Sequence, residues 1–165
     1  MAKSLLIIGA GGHGKVVKEV AEAVGYDKIA FLDDNSAEAV GKIADAKQFV
    51  QEYQAAVVGI GNNKFRNELL QRLEQEGYEI PVLLHPTAYI SKTAVIGKGT
   101  VVEPKAIVNA NSKVGSGCII SVGAIVDHDV VLEDCVHVNA GAICKAGSFV
   151  AKETKLEAGQ VVKGY

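Results

Sequence analysis

From Ile90 to Val162 every sixth residue is apolar, and this fixed period constrains the chain more than any other feature. The column runs Ile90, Ile96, Val102, Val108, Val114, Ile120, Val126, Leu132, Val138, Cys144, Val150, Leu156 and Val162; its only departure from an aliphatic residue is the small thiol. A second column lies two residues ahead and is small or modest: Ala88, Ala94, Thr100, Ala106, Ser112, Cys118, Ala124, Val130, Val136, Ala142, Ser148, Thr154 and Gln160. Neither a 3.6-residue helix nor a simple two-residue alternation keeps two such columns in phase. A six-residue unit of one short strand and one turn does, with three units closing a coil of a parallel β-helix. Aliphatic side chains then stack inside a triangular prism, and the small ones fit where its section narrows.

Strands alternate faces, so the residue before each aliphatic one should point outward. One outward row, Tyr89, Ile107, Ile125, Ile143 and Val161, carries no charge. A soluble monomer rarely leaves such a row in water, so a homo-oligomer is expected, with a trimer of parallel prisms as its form.

Ahead of Pro86 the pattern is different. Short apolar runs at Leu5–Ile8, Ile29–Leu32, Ala56–Ile60 and Val82–Leu84 read as strands. Between them, Lys15–Val24, a weaker segment at Ala46–Tyr53, and Phe65–Gln75 read as helices. Strand–helix alternation with short loops predicts an α/β domain, a Rossmann-like half with a parallel sheet. Two domains are therefore expected, residues 1–86 and 87–165.

The net charge of −2 offers no footprint for nucleic acid or an anionic membrane. The opening apolar run is too short for a signal peptide or a membrane span. Cys118, Cys135 and Cys144 have no metal-binding spacing, and a reducing cytoplasm is the simplest location. Cys118 and Cys144 fall in the inward columns, so they read as small hydrophobes.

Two segments can carry chemistry. Gly9-Ala10-Gly11-Gly12-His13-Gly14 follows a strand and opens a helix, with Asp33 and Asp34 about twenty residues on. Only about 85 residues precede the prism, too few for both halves of a dinucleotide fold. What survives is a phosphate cradle of glycine amides at a helix N-terminus, with the aspartates near a ribose or base and Gly61-Asn62-Asn63 bordering the same crevice. The alternative is a tight turn with a purely structural role. The second segment is Asp127-His128-Asp129, a histidine between carboxylates at a prism corner and suited to proton transfer. His137 interrupts the outward rows and is expected to face a neighbouring subunit, either as a functional group or as a hydrogen-bonded interface histidine. His85, before Pro86, reads as structural.

Taken in order, Gly11-Gly12-His13-Gly14-Lys15-Val16-Val17, Phe31-Leu32-Asp33-Asp34, Ile60-Gly61-Asn62-Asn63, Leu84-His85-Pro86, Asp127-His128-Asp129 and His137 resemble one family. It is the bacterial sugar acyltransferases of the sialic-acid O-acetyltransferase and UDP-4-amino-sugar N-acetyltransferase (bacillosamine pathway) type. The resemblance implies a left-handed winding, which the spacing itself does not fix. It also implies a homotrimer, an N-terminal domain holding a UDP-sugar through Gly11, Gly12, His13, Asp33, Asp34, Gly61 and Asn62, and acetyl-CoA between adjacent prisms. His128 would be the general base, Asp129 its orienting carboxylate, and His137 and Gly147 would face acetyl-CoA, with no metal and no acyl-enzyme. The chain departs from the family after Cys144: Ala151-Lys152-Glu153-Thr154 replaces a glycine corner, and the further coils that family members carry are absent after Tyr165. A shortened or rebuilt acetyl-CoA groove is therefore expected. Competing readings are an O-acetyltransferase, a nucleotide-sugar-binding trimer without turnover, a zinc carbonic anhydrase on the same β-helix, and a nicotinamide dehydrogenase. The last two are disfavoured, because only two histidines lie in the prism and only half a dinucleotide fold precedes it.

Overall fold

The computed structural model describes residues 3–165, which divide into two compact units, 3–81 and 82–165. The first unit is built on a three-stranded parallel sheet of β1 (Ser4–Ile8), β2 (Lys28–Leu32) and β3 (Ala55–Val58), in the order β2-β1-β3. β1 and β3 are almost wholly buried, as expected for parallel strands covered on both faces. Helix α1 (Gly12–Ala23) follows β1 and buries Val17, Val20 and Ala21 on one side. Helix α2 (Asn63–Gln75) follows β3, is capped by Asn62 through its Phe65 amide, and buries Leu69, Leu70 and Leu73.

Two expectations change here. The segment expected as a helix over Ala46–Tyr53 is a 3₁₀ helix over Ile43–Phe49. Ala46 is its only buried residue, so there is no apolar stripe to hold a longer α-helix against the sheet. Leu83–Leu84 does not extend the first sheet; it pairs with Val101–Val102 and belongs to the second unit. Leu84 stands six residues ahead of Ile90, so the inward column begins one repeat earlier than Pro86 suggests.

The second unit is a β-helix of two-residue strands on three faces. The first face holds Leu83–Leu84, Val101–Val102, Ile119–Ile120 and His137–Val138. The second holds Tyr89–Ile90, Ile107–Val108, Ile125–Val126, Ile143–Cys144 and Val161–Val162. The third holds Val95–Ile96, Lys113–Val114, Val131–Leu132 and Phe149–Val150. Every pairing is parallel with partners 18 residues apart, as in Ile119 with His137, so three hexads do close one coil. Both inward columns form the core, from Val102 and Ala106 to Cys144 and Leu156. The outward rows are less uniform. Val101 and Ile119 are buried, whereas the charge-free row of the second face leaves Tyr89 and Val161 exposed and Ile107, Ile125 and Ile143 half-buried.

The corners are held by one repeated device. From position 99 to 159, the residue three after each inward aliphatic takes a positive φ: Gly99, Gly117, Gly123, Gly141, Gly147 and Gly159, but also Lys105, Asn111, Asp129, Cys135 and Glu153. From Gly117 onward that residue's amide donates to the carbonyl nineteen positions back, for example Gly117 to Lys98 at 2.8 Å and Glu153 to Asp134 at 3.0 Å, whereas Lys105 and Asn111 donate to the hydroxyls of Thr87 (3.1 Å) and Thr93 (2.9 Å). The turn at Ala151-Lys152-Glu153-Thr154 thus keeps the corner geometry without glycine.

Candidate active site

In the first unit, the loops after β1 and β3 meet at the point where the strand order reverses, where parallel sheets place their ligands. The close approach there requires glycine. A Cβ on Gly14 would lie 2.0 Å from the Gly9 carbonyl oxygen, and one on Gly59 would lie 2.7 Å from the Gly14 Cα. Gly11, Gly12 and Gly61 differ, because a Cβ on any of them would meet nothing within 4 Å. Packing does not demand glycine at these three positions. They leave side-chain-free backbone at the positive ends of α1 (Gly11, Gly12) and α2 (Gly61), as a phosphate cradle needs.

Arg66, which sequence reasoning missed, lies under this crevice. It is fully buried on α2 and donates to the carbonyls of Ile60 (3.0 Å) and Gly61 (3.3 Å) and to Asn63 Oδ1 (2.7 Å). His13 sits near it: burial, and then the Arg66 charge, push its imidazole down to about 4, so it is neutral at pH 7. The structure therefore brings Gly11, Gly12, His13, Gly61 and Asn62 to one edge. Asp33 is joined to that edge by backbone. Its carboxylate accepts from the amides of Ala10 (2.8 Å), Asn35 (2.8 Å) and Ser36 (3.0 Å), which hold it below the usual carboxylate range, the Ala10 bond foremost. Asp34 turns to the Ile43 amide at 3.1 Å.

In the second unit, His128 stands at the corner between the second and third faces. Its Nδ1 bonds Asp129 Oδ2 at 2.7 Å, and both side chains remain nearly half-exposed. The Asp129 hydrogen bond, aided by the Asp127 charge, raises the imidazole above its ordinary value. Asp127 Oδ1 accepts from the His128 amide (2.7 Å) and from Asn109 Nδ2 (3.1 Å), fixing the turn from the coil below. Gly147 lies one coil above Asp129, with its amide donating to the His128 carbonyl at 3.0 Å. His137 lies on the first face, opposite this corner, with its Nε2 3.1 Å from Ser121 Oγ. One chain therefore unites His128, Asp129 and Gly147 but holds His137 on the other side of the prism. His85 bonds Thr87 within its own turn. Among the described residues, no group of three or more His, Cys, Asp or Glu is placed to hold a metal ion, and no helix is long and apolar enough to cross a membrane.

The chain thus combines a hexapeptide-repeat β-helix, with a carboxylate-held imidazole at one corner, and an α/β unit with a glycine-lined crevice. Comparison with known proteins narrows this. Residues 4–73 match the PglD N-terminal domain family. The UDP-N-acetylbacillosamine N-acetyltransferase of Bacillus subtilis (strain 168) is 32% identical over 111 residues, covering 61% of this chain and about half (51%) of that protein's length. The acetyltransferase domain of PglB from Neisseria gonorrhoeae FA1090, solved with acetyl coenzyme A, superposes with a TM-score of 0.93 at 36% identity, over 99% of this chain and 83% of that one. PerB from Caulobacter crescentus, solved with CoA and GDP-perosamine, gives 0.81 at 28% identity, over 98% and 89%. The chain belongs to the bacterial sugar acyltransferase family of the bacillosamine-pathway type.

Proposed function

We propose that this chain is an acetyl-CoA-dependent N-acetyltransferase acting on the amine of a nucleotide-activated sugar, with a UDP-4-amino sugar as acceptor. The observation that carries the reading is the His128 corner. With Nδ1 held by Asp129, Nε2 is the nitrogen left for substrate, on an imidazole made more basic by that carboxylate. His128 Nε2 takes a proton from the sugar amine as its nitrogen attacks the thioester carbonyl carbon. The C–S bond breaks, and the proton passes from the imidazolium to the departing thiolate. No acyl-enzyme is needed. Because the Gly147 amide is engaged with the His128 carbonyl, Gly147 first serves to orient the base.

The first unit would hold the nucleotide diphosphate on the amides around Gly11, Gly12 and Gly61, with His13, Asn62, Asp33 and Asp34 bordering the ribose and base. The ligands named for the relatives, acetyl-CoA, CoA and GDP-perosamine, support both halves of this assignment. The prism also fits a pantetheine arm. Gly123, Gly141 and Gly159 follow one another at 18-residue intervals along the corner between the first and second faces, and a Cβ on any of them would meet nothing within 4 Å. That leaves a column of side-chain-free backbone at this corner, beside the exposed Val122.

The same geometry supports a homotrimer. His128 and His137 lie on opposite sides of one prism, so a composite site requires His137 of a neighbouring copy, and the apolar row of the second face gives that neighbour a surface. The three buried thiols accord with a cytoplasmic location. The test is a thermal-shift panel of UDP-, GDP-, TDP- and CMP-amino sugars, each with acetyl-CoA, followed by thiol release. UDP-4-amino sugar should give the largest shift and turnover, and His128→Ala should abolish release while keeping the trimer's sedimentation and nucleotide binding. Normal turnover by that variant would refute the mechanism, and nucleotide binding without any release would leave a binding protein.

A further inference from the structure

Tyr165 lies far from every motif that marks the site, yet it occupies the same corner column. Asn111, Asp129, Gly147 and Tyr165 are spaced by 18, one per coil. The amides of Asp129, Gly147 and Tyr165 donate in turn to Ala110 (2.9 Å), His128 (3.0 Å) and Ala146 (3.2 Å), so Tyr165 continues the ladder. Its backbone is held close, because a Cβ on Gly164 would lie 1.8 Å from the Ala146 oxygen. Tyr165 is thus two coils above Asp129, about 10 Å at roughly 4.8 Å per coil.

Its ring crosses that gap through space that Gly147 leaves empty. A Cβ on Gly147 would lie 1.9 Å from Tyr165 Cε1 and 2.1 Å from Cδ1. The hydroxyl then donates to Asp129 Oδ2 at 3.4 Å, the oxygen that also takes His128 Nδ1. The ring centroid is 6.4 Å from the imidazole. Asn111 bonds the Asp129 side chain from the coil below. We infer that Tyr165 is a positioning residue of the active site: it fixes Asp129 from above, and by sharing Oδ2 it tempers the carboxylate's hold on His128.

This rests on His128 being the base, and two physical consequences follow. The ionisable groups facing the imidazole are Asp127 and Asp129 on its own corner and Tyr165 from the tail, with the neutral Asn109 and Asn111 below. Removing the hydroxyl returns charge to Oδ2, so the imidazolium is held more tightly. The His128 proton should then be released at higher pH, and the acid limb of the rate profile should move the same way.

The experiment is an NMR titration of the His128 imidazole in the full chain, for wild type, Tyr165→Phe and Tyr165→Ala, alongside pH-dependent steady-state kinetics. Tyr165→Phe is expected to raise the His128 midpoint by about 0.3 pH units and to lower kcat by up to about twofold at pH 6.5, with KM for the sugar within twofold. An unchanged or lowered midpoint in Tyr165→Phe overturns the inference, whatever the kinetics. A raised midpoint in a protein whose His128→Ala variant still turns over would uphold Tyr165's role and refute the assignment of His128 as base. Tyr165→Ala should shift the midpoint in the same direction; a normal midpoint there also overturns the inference.

Discussion

His13 should impose an acid limit on the N-terminal unit, and its size can be worked out. The imidazole titrates at about 4 in the folded chain against 6.5 for an unperturbed histidine, with burial the larger cause and Arg66 the second. Between those values the unfolded chain binds a proton that the folded chain refuses. Stability therefore falls as pH drops through 6.5 and stops falling from this source near 4. At ~1.4 kcal/mol per pH unit the interval gives a ceiling of about 3 kcal/mol, which partial exposure of the ring reduces to about 2 kcal/mol. His13→Gln keeps a polar side chain of similar size that does not titrate. Urea unfolding from pH 7.5 to pH 4, followed by near-UV circular dichroism, reads the right unit: the chain has no Trp, Tyr26, Tyr53 and Tyr78 are buried there, and Tyr89 and Tyr165 of the second unit are exposed. Wild type should lose about 2 kcal/mol more than His13→Gln between pH 6.5 and 4. Parallel curves would mean that His13 charges freely in the folded chain and that its placement beside Arg66 is wrong.

Arg66→Met removes the donors to Ile60, Gly61 and Asn63 and leaves buried acceptors unpaired, so unfolding free energy should drop by about 2–4 kcal/mol in the same assay. His13 should then titrate above 4 but still below 6.5 by NMR, because burial outweighs the Arg66 charge. Gly14→Ala drives a Cβ into the Gly9 carbonyl and should lower the melting temperature sharply or prevent folding of that unit. Gly11→Ala enters open space and should change stability by less than ~0.5 kcal/mol while weakening nucleotide-sugar affinity at least tenfold by calorimetry. Ile120→Ala, inside the prism and fully buried, should cost about 3 kcal/mol in chemical unfolding.

The architecture was legible because each hexad states its own geometry twice, once in the aliphatic column and once in the small one. Its start was misread because Pro86 looks like punctuation, although Leu84 already fits the column. The 3₁₀ helix was missed for the opposite reason: a weak periodicity implied a helix that no apolar face supports. The His128 corner was visible as local sequence, but its supports were not. Asn109 and Asn111 lie 18 residues before Asp127 and Asp129, and Tyr165 lies 18 after Gly147, so contacts between coils surface only when the chain is read at the coil period as well as at six. Arg66 gives no such signal. On a helix it reads as one more solvated cation, and only its position under the β3 loop shows a buried guanidinium tying down backbone carbonyls.

The left-handed corner at Asp129 has a further consequence. Its φ of 57° matches the 62° to 70° of the glycines that fill the equivalent corners at Gly117, Gly123, Gly141 and Gly147. Averaging the hexads into a consensus would therefore write glycine at 129, and the resulting prism would gain local ease, because glycine relaxes where aspartate is strained. It would also lose the carboxylate that steers His128. In this repeat, regularity favours durability and the irregular corner holds the proposed catalytic pair, so a stabilising redesign of the β-helix that is meant to keep His128 steered must leave that corner unlike its neighbours.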